Sequence, residues 1–362
     1  MKRVLLITDV NFWEKSSGNR ARIYSLIAYL SEYVALTVVN TGPAPRQIET
    51  ILKEQFKADF YVLEKNKYLS SDGYGRRLKK LLKDQQFDSV IIEYIHSSYF
   101  LNFLEFDAQI VLDAHDIVSD RSDDFKKFNQ QGALYEIGRE DEIEVFNVYD
   151  YVMAICKPDY DRISTFVGNE KTLLCPHPAL LHQPEIKDQV KNIVFVASAY
   201  LPNKDGIEWF VANCWPLIYQ AYDVQLVIYG TVCSVIDVSY QDGVVCRGFV
   251  AEIDQIYRDA DLIINPVRFG AGLKIKNVEA LAHGLPLVTT SHGARGLESA
   301  SGSAFLVADD QQTMTESIAH VIADRSFRLK LSKNAGRYIA DLFSPEQCFL
   351  PLLNAINRCT IQ

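Results

Sequence analysis

The 362-residue chain contains no run of eighteen apolar residues, so no segment has the length of a bilayer-spanning helix. Its seven cysteines stand apart at positions 156, 175, 214, 233, 246, 348 and 359, with no Cys-x-x-Cys pair. That excludes a zinc-ribbon framework, and an odd, scattered set fits reduced thiols in a cytosolic protein. Cys156 and Cys175 read as small buried hydrophobes. Basic charge is not in excess, with 37 Lys+Arg against 46 Asp+Glu and a net charge of −9. Residues 1–180 alone hold 22 basic and 27 acidic side chains. Both halves are mildly acidic, which argues against nucleic acid as a partner. Low-complexity segments, short-period repeats and a Walker A loop are all missing. The opening MKRVLLITDV is basic and then apolar, but it is short and lacks a small-residue cleavage site, so it reads as a first strand.

What remains is ordinary globular composition, 48% hydrophobic and 23% charged, in a length suited to two domains. Val4–Ile7, Val34–Val39, Ser89–Glu93, Gln109–Asp113 and Tyr151–Ile155 are apolar or β-rich runs. Between the first two, Ile23, Leu26, Ile27 and Leu30 recur at helical spacing. A second series follows Cys175-Pro176-His177-Pro178 and the polar stretch 182–191. Its strand-like runs are 192–197, 225–229, 243–246, 262–265, 285–289 and 304–307. Strands alternating with helices imply mostly parallel sheets, here two successive α/β domains of Rossmann-like type.

The most informative stretch is NPVRFGAGLKIKNVEALAHGLPLVTTSHGARGL, residues 265–297. A strand ends at Asn265, the backbone loosens at Gly270-Ala271-Gly272, and a helix is expected from about Leu273 to Gly284. Two glycines ahead of a helix let backbone N–H groups approach a phosphate. Lys274 and Lys276 fall in the expected first turn, where a cation opposes the helix dipole unless an anion is bound. The dinucleotide fingerprint fails, because position 275 is isoleucine rather than the third glycine. Taken alone, the glycine pair reads equally well as a tight turn.

Read as a whole, this stretch resembles the donor-site segment of glycosyltransferase family 4, the retaining GT-B enzymes. The shared pattern runs through Gly270, Gly272, Lys274, Lys276, Glu279, Ala280, Ala282, Gly284, Pro286 and Val288. FVASAYLPNKDGIEWFVANCWPLI at 195–218, the 343–357 tail, Gly18-Asn19-Arg20 and DAHD at 113–116 also match in order. The resemblance implies a GT-B architecture with two Rossmann-like domains facing a central cleft. The N-terminal, acceptor-side domain would span 1–180 and be joined by a helix at 344–362; the donor domain would span 190–343. It further implies transfer of a hexose from a nucleotide sugar, with retention and with neither cofactor nor metal.

Carried over residue by residue, Glu279 would accept hydrogen bonds from the donor ribose. Gly270, Gly272, Leu273 and Lys274 would lie along the sugar and diphosphate, and Lys276 or Lys274 would neutralise the leaving group. His115 would face the donor sugar, and Gly18 and Asn19 would form the loop beneath the phosphates. Arg268 is a further donor-side candidate, whereas Asp113 and Asp116 read as loop anchors. The chain departs from the family in carrying Ala271 where many members have a first glutamate. Ser198 stands in place of an arginine, and Asn203, beside Lys204, in place of a lysine. Ala271 and Ser198 motivate a rival reading, a catalytically silent GT-B subunit that binds a partner transferase or an acceptor protein. A nucleotide-sugar epimerase is a third. The acceptor is left open, with segments 65–75 and 117–135 expected to choose it. Residues 76–83, RRLKKLLK, form an amphipathic run that reads as a solvated helix face, with contact to anionic lipid second. His177, His283, His292 and His320 show no ligand-like spacing and read as core or surface residues. The expected location is cytoplasmic, with the inner membrane face as the peripheral alternative.

Overall fold

The computed structural model describes all residues except 15–16, 46, 64–69, 131–134, 239–240, 251 and 359–362. Parts of the loop before Gly18 and of the two acceptor-side segments therefore lie outside the described residues. The chain divides into two compact units. Met1–Lys15, Asn19–Pro176 and Pro345–Gln362 make up the first; Ser16–Gly18 and His177–Ser344 make up the second.

In the first unit, seven parallel strands are β1 (Arg3–Thr8), β2 (Ala35–Asn40), β3 (Ala58–Val62), β4 (Ser89–Glu93), β5 (Gln109–Asp113), β6 (Tyr151–Ala154) and β7 (Thr172–Leu174). They are ordered β3-β2-β1-β4-β5-β6-β7. The central strands are apolar on both faces because helices cover both, and β4 is buried along its whole length. The helix Gly18–Tyr33 buries Ile23, Leu26, Ile27 and Leu30. The helix Pro345–Arg358 belongs to this unit. It is tied there by Tyr29 Oη donating to Glu346 Oε2 at 3.1 Å and by Gln109 Nε2 donating to the Ala355 carbonyl at 3.3 Å. The basic run lies on a helix, Ser71–Leu81, that buries Tyr74 and Leu78 and leaves Arg76, Arg77, Lys79 and Lys80 exposed.

The second unit holds a six-stranded parallel sheet of β8 (Asn192–Val196), β9 (Gln225–Tyr229), β10 (Val244–Gly248), β11 (Leu262–Asn265), β12 (Leu287–Thr289) and β13 (Leu306–Val307). Their order is β10-β9-β8-β11-β12-β13. Phe195, Ile207, Phe210, Trp215, Leu226 and Ile264 form the centre of its core. In each sheet the strand order reverses once, between β1 and β4 and between β8 and β11. Doubly wound sheets bind ligands outside the carboxyl ends of the strands at that reversal, where helices on opposite faces leave a crevice.

Candidate functional site

In the second unit, β8 and β11 deliver their following loops to the reversal point. The loop after β11 passes Gly270 and Gly272 in left-handed conformations, φ 104° and 70°, which a side chain would strain. The helix then begins at Ile275, later than expected, so Lys274 is its N-cap and only Lys276 lies in the first turn. The reason is local: the left-handed Gly272 cannot belong to a right-handed helix, and Lys274 has to leave that turn first. Lys274 Nζ folds back on the carbonyls of Ala271 and Gly272, at 3.2 and 3.0 Å. It therefore closes the glycine loop.

Lys276 is placed differently. Its Nζ donates to Asn203 Oδ1 at 2.7 Å and lies 4.6 Å from the centre of the Phe195 ring. Asn203 is itself held by a 3.1 Å bond from Nδ2 to the Ser198 carbonyl. Two of the three departures from the family pattern, Ser198 and Asn203, thus stand next to the lysine. Burial, reinforced by the charge of Lys274, pulls the Lys276 ammonium down to about 7. Glu279 follows Lys276 at i+3 and shares its helix face. Tyr257 Oη donates to Glu279 Oε2 at 2.8 Å, and burial raises that carboxyl to about 7. Tyr257 has no signature in the sequence, because it comes from the separate helix Ile253–Asp259.

Beneath this face, Asn265 Nδ2 donates to Asn277 Oδ1 at 2.9 Å and Asn277 Nδ2 to the Gly293 carbonyl at 2.8 Å. This buried polar knot fixes the helix on the ends of β11 and β12. Arg268 is committed elsewhere, to a two-pronged ion pair with Asp205 at 2.9 and 2.8 Å, over the Trp209 ring. Leu273 is buried.

In the first unit, the carboxyl ends of β4 and β5 carry a second cluster. Arg22 Nε and Nη2 each donate to Asp113 at 2.9 Å, with both side chains fully buried. His115 Nε2 lies 2.6 Å from Glu93 Oε2. Burial, and then the charge of Asp113, push the Glu93 carboxyl up to about 7. Tyr94 and His115 both hold positive φ, 66° and 61°, and their rings stack at 3.9 Å. Two non-glycine residues in the left-handed region cost about 1–3 kcal/mol each, a strain that collects at functional sites. Asp116 anchors the loop through Arg121 at 2.9 and 2.6 Å. Asn19, in the first turn of the helix that begins at Gly18, bonds the Tyr94 hydroxyl. Arg22 had one signal in the sequence, its place on the apolar stripe with Ile23 and Leu26. Glu93 had none beyond ending a strand. The donor atoms of Glu93, Asp113 and His115 lie within 4.8 Å of one another, but Arg22 already supplies the cation there.

Residues 190–324 match the model of the family described as glycosyl transferases group 1. An uncharacterized 44.6 kDa protein in the cps region of Klebsiella pneumoniae is 22% identical over 296 residues, 75% of each chain. Among solved structures, the chain is similar to the sucrose-phosphate synthase of Thermosynechococcus elongatus, with a TM-score of 0.76 at 14% identity over 99% of each chain. It is also similar to HepE of Anabaena, solved in complex with UDP-glucose, with a TM-score of 0.70 at 15% identity over 99% of this chain and 100% of that one. The family model covers part of the second unit, and the solved structures give the fold, two Rossmann-like units of the GT-B kind.

Proposed function

We propose that the chain transfers a hexose from a nucleoside-diphosphate sugar to an acceptor hydroxyl, with retention of configuration and without a metal. One observation carries this reading. Lys276 and Glu279 face the same way from one helix at the reversal point, each held by a partner, Asn203 and Tyr257. An ammonium and a carboxylate so spaced suit the diphosphate and the ribose hydroxyls of a single nucleotide. Gly270 and Gly272 leave room for backbone N–H groups beside the phosphates, and the helix N-terminus adds its dipole. A silent subunit would have no use for these paired groups.

The bond between the anomeric carbon and the phosphate oxygen breaks as the acceptor oxygen bonds to that carbon on the same face. The acceptor proton passes to the leaving phosphate. Positive charge at the phosphate lowers the barrier by stabilising the departing dianion. We assign acceptor binding to the first unit, with His115 as its group for the substrate, oriented by Glu93. Lys274 closes the loop, and Arg268 acts through Asp205 and Trp209 rather than on the phosphates. Among the described residues no helix is long and apolar enough to cross a membrane. The exposed basic face of Ser71–Leu81 suits an acceptor presented at an anionic surface.

UDP is the first probe, since it is bound in several of the similar structures. Calorimetric titration should show one UDP per chain, and Glu279→Ala should weaken it by roughly ten- to a hundredfold, the worth of charged hydrogen bonds to a ligand. Equal affinity in parent and variant would overturn the ribose assignment. No binding of UDP, GDP or ADP to the parent would overturn the function.

A further inference from the structure

We propose that His182, Asp254 and His283 form a zinc site on the second unit, behind the helix that carries Glu279. His283 caps that helix, and its Nδ1 lies 2.9 Å from the Glu279 carbonyl oxygen. A carbonyl only accepts, so Nδ1 carries the proton and Nε2 presents its lone pair. That Nε2 is buried with no hydrogen-bond partner, 3.5 Å from Asp254 Oδ1. Two acceptors facing each other at that distance repel unless a cation sits between them. A histidine whose second nitrogen donates to a backbone carbonyl is the usual arrangement of a metal ligand, because the bond fixes both tautomer and ring orientation.

The third donor comes from the segment that enters the domain. The His182 N–H donates to the Ala282 carbonyl at 3.0 Å, and its ring stacks on that of His283 at 3.7 Å. Pro184 packs so closely on Gly284 that a Cβ there would come within 2.6 Å of it. The ligand atoms of His182, Asp254 and His283 all lie within 4.8 Å of one another. Tetrahedral zinc, with bonds of about 2.0–2.1 Å, needs donors about 3.3–3.4 Å apart. The His283–Asp254 pair is close to that spacing, whereas the His182 ring, now parallel to that of His283, has to turn out of the stack to aim its lone pair at the same ion; that turn completes three ligands, with water as the fourth. Two imidazoles and one carboxylate suit zinc better than calcium or magnesium, which take oxygen.

Zinc here would clamp the 182–184 segment and the helix Ile253–Asp259 onto the helix Ile275–Ala282. Tyr257 stacks on His283 at 4.6 Å and donates to Glu279, so the same clamp steadies the Tyr257–Glu279 bond. The clamp sits at the C-terminal end of this helix, whereas Lys276 lies in its first turn, so zinc here would not be a catalytic ion. Its link to nucleotide binding rests on the donor reading above; zinc binding itself does not.

The test is a zinc titration of the full chain, stripped with EDTA and dialysed, in competition with a chromophoric chelator. Cobalt(II) serves as the spectroscopic probe. One zinc per chain is expected, and cobalt should show the intense visible bands of tetrahedral coordination. Asp254→Asn, His182→Ala and His283→Ala should each weaken zinc by at least the roughly 10–100-fold that loss of an outer-shell partner costs. Asp254 and His182 are not core residues, so their variants should fold, which circular dichroism checks. No zinc uptake by the stripped parent, or uptake unchanged in the Asp254→Asn/His182→Ala double variant, would overturn the site and leave a proton between His283 and Asp254. UDP binding by the stripped parent, measured alongside, separates that outcome from a failure of the donor reading.

Discussion

Lys276→Ala is expected to lower turnover about a hundredfold while changing the donor KM much less. Negative charge on the departing diphosphate grows toward the transition state, so an ammonium aimed at it contributes more there than in the bound ground state. Lys276 is the better placed of the two cations. Asn203 holds its Nζ at 2.7 Å on the ligand face, whereas the Lys274 ammonium is turned onto two loop carbonyls. Lys274→Ala should accordingly act mainly on KM, through a looser glycine loop. The same lysine sets a pH dependence. In the free protein burial holds Lys276 near 7, while a bound diphosphate favours the charged form and raises it. Binding above about pH 7 therefore takes up a proton at Lys276, whose share of donor affinity should fall as pH rises from 7 by at most about tenfold per unit, while Glu279, also near 7, gains its charge over the same range and opposes the fall. The Lys276→Ala variant should lose that slope. Parental turnover in Lys276→Ala would move the leaving-group role to another cation, Lys274 or Arg268.

Arg22→Met should destabilise the first unit by about 3–5 kcal/mol, because it strands a buried carboxylate. Arg22 and Asp113 are each fully buried, and Glu93 stands beside them with its Oε1 unpaired. Burial alone would raise Asp113, yet the Arg22 charge holds it below the usual carboxylate range. With the arginine gone, Asp113 and Glu93 must share a dry site as like charges or take up protons. The double variant Arg22→Met/Asp113→Leu should recover much of the loss, since it removes both charges and keeps apolar volume. Urea unfolding, followed by a probe in the first unit because two units need not melt together, decides between these outcomes. A single variant as stable as the parent would show that the pair does not hold β5 to the helix Gly18–Tyr33.

Much of the architecture was written locally. The strand–helix alternation, the stripe of Ile23, Leu26, Ile27 and Leu30, and the stop at Gly284 depend on neighbours a few residues away, so periodicity exposes them. The edge strands β3 and β7 escaped notice: neither is a continuous apolar run, and β7 has only three residues. The glycine loop and the Lys276–Glu279 face were also open to reading, since spacing on one helix puts side chains on one side.

The partners of those side chains were not. Asn203 for Lys276, Tyr257 for Glu279, Arg22 for Asp113 and Glu93 for His115 all come from distant elements. The histidines and Asp254 likewise showed no spacing worth remarking, yet they converge behind one helix. The chain order carries helix and strand because their hydrogen bonds and periods are short-ranged. Which charge meets which depends on the order of strands in a parallel sheet, where crossovers bring residues far apart in the chain to the same edge.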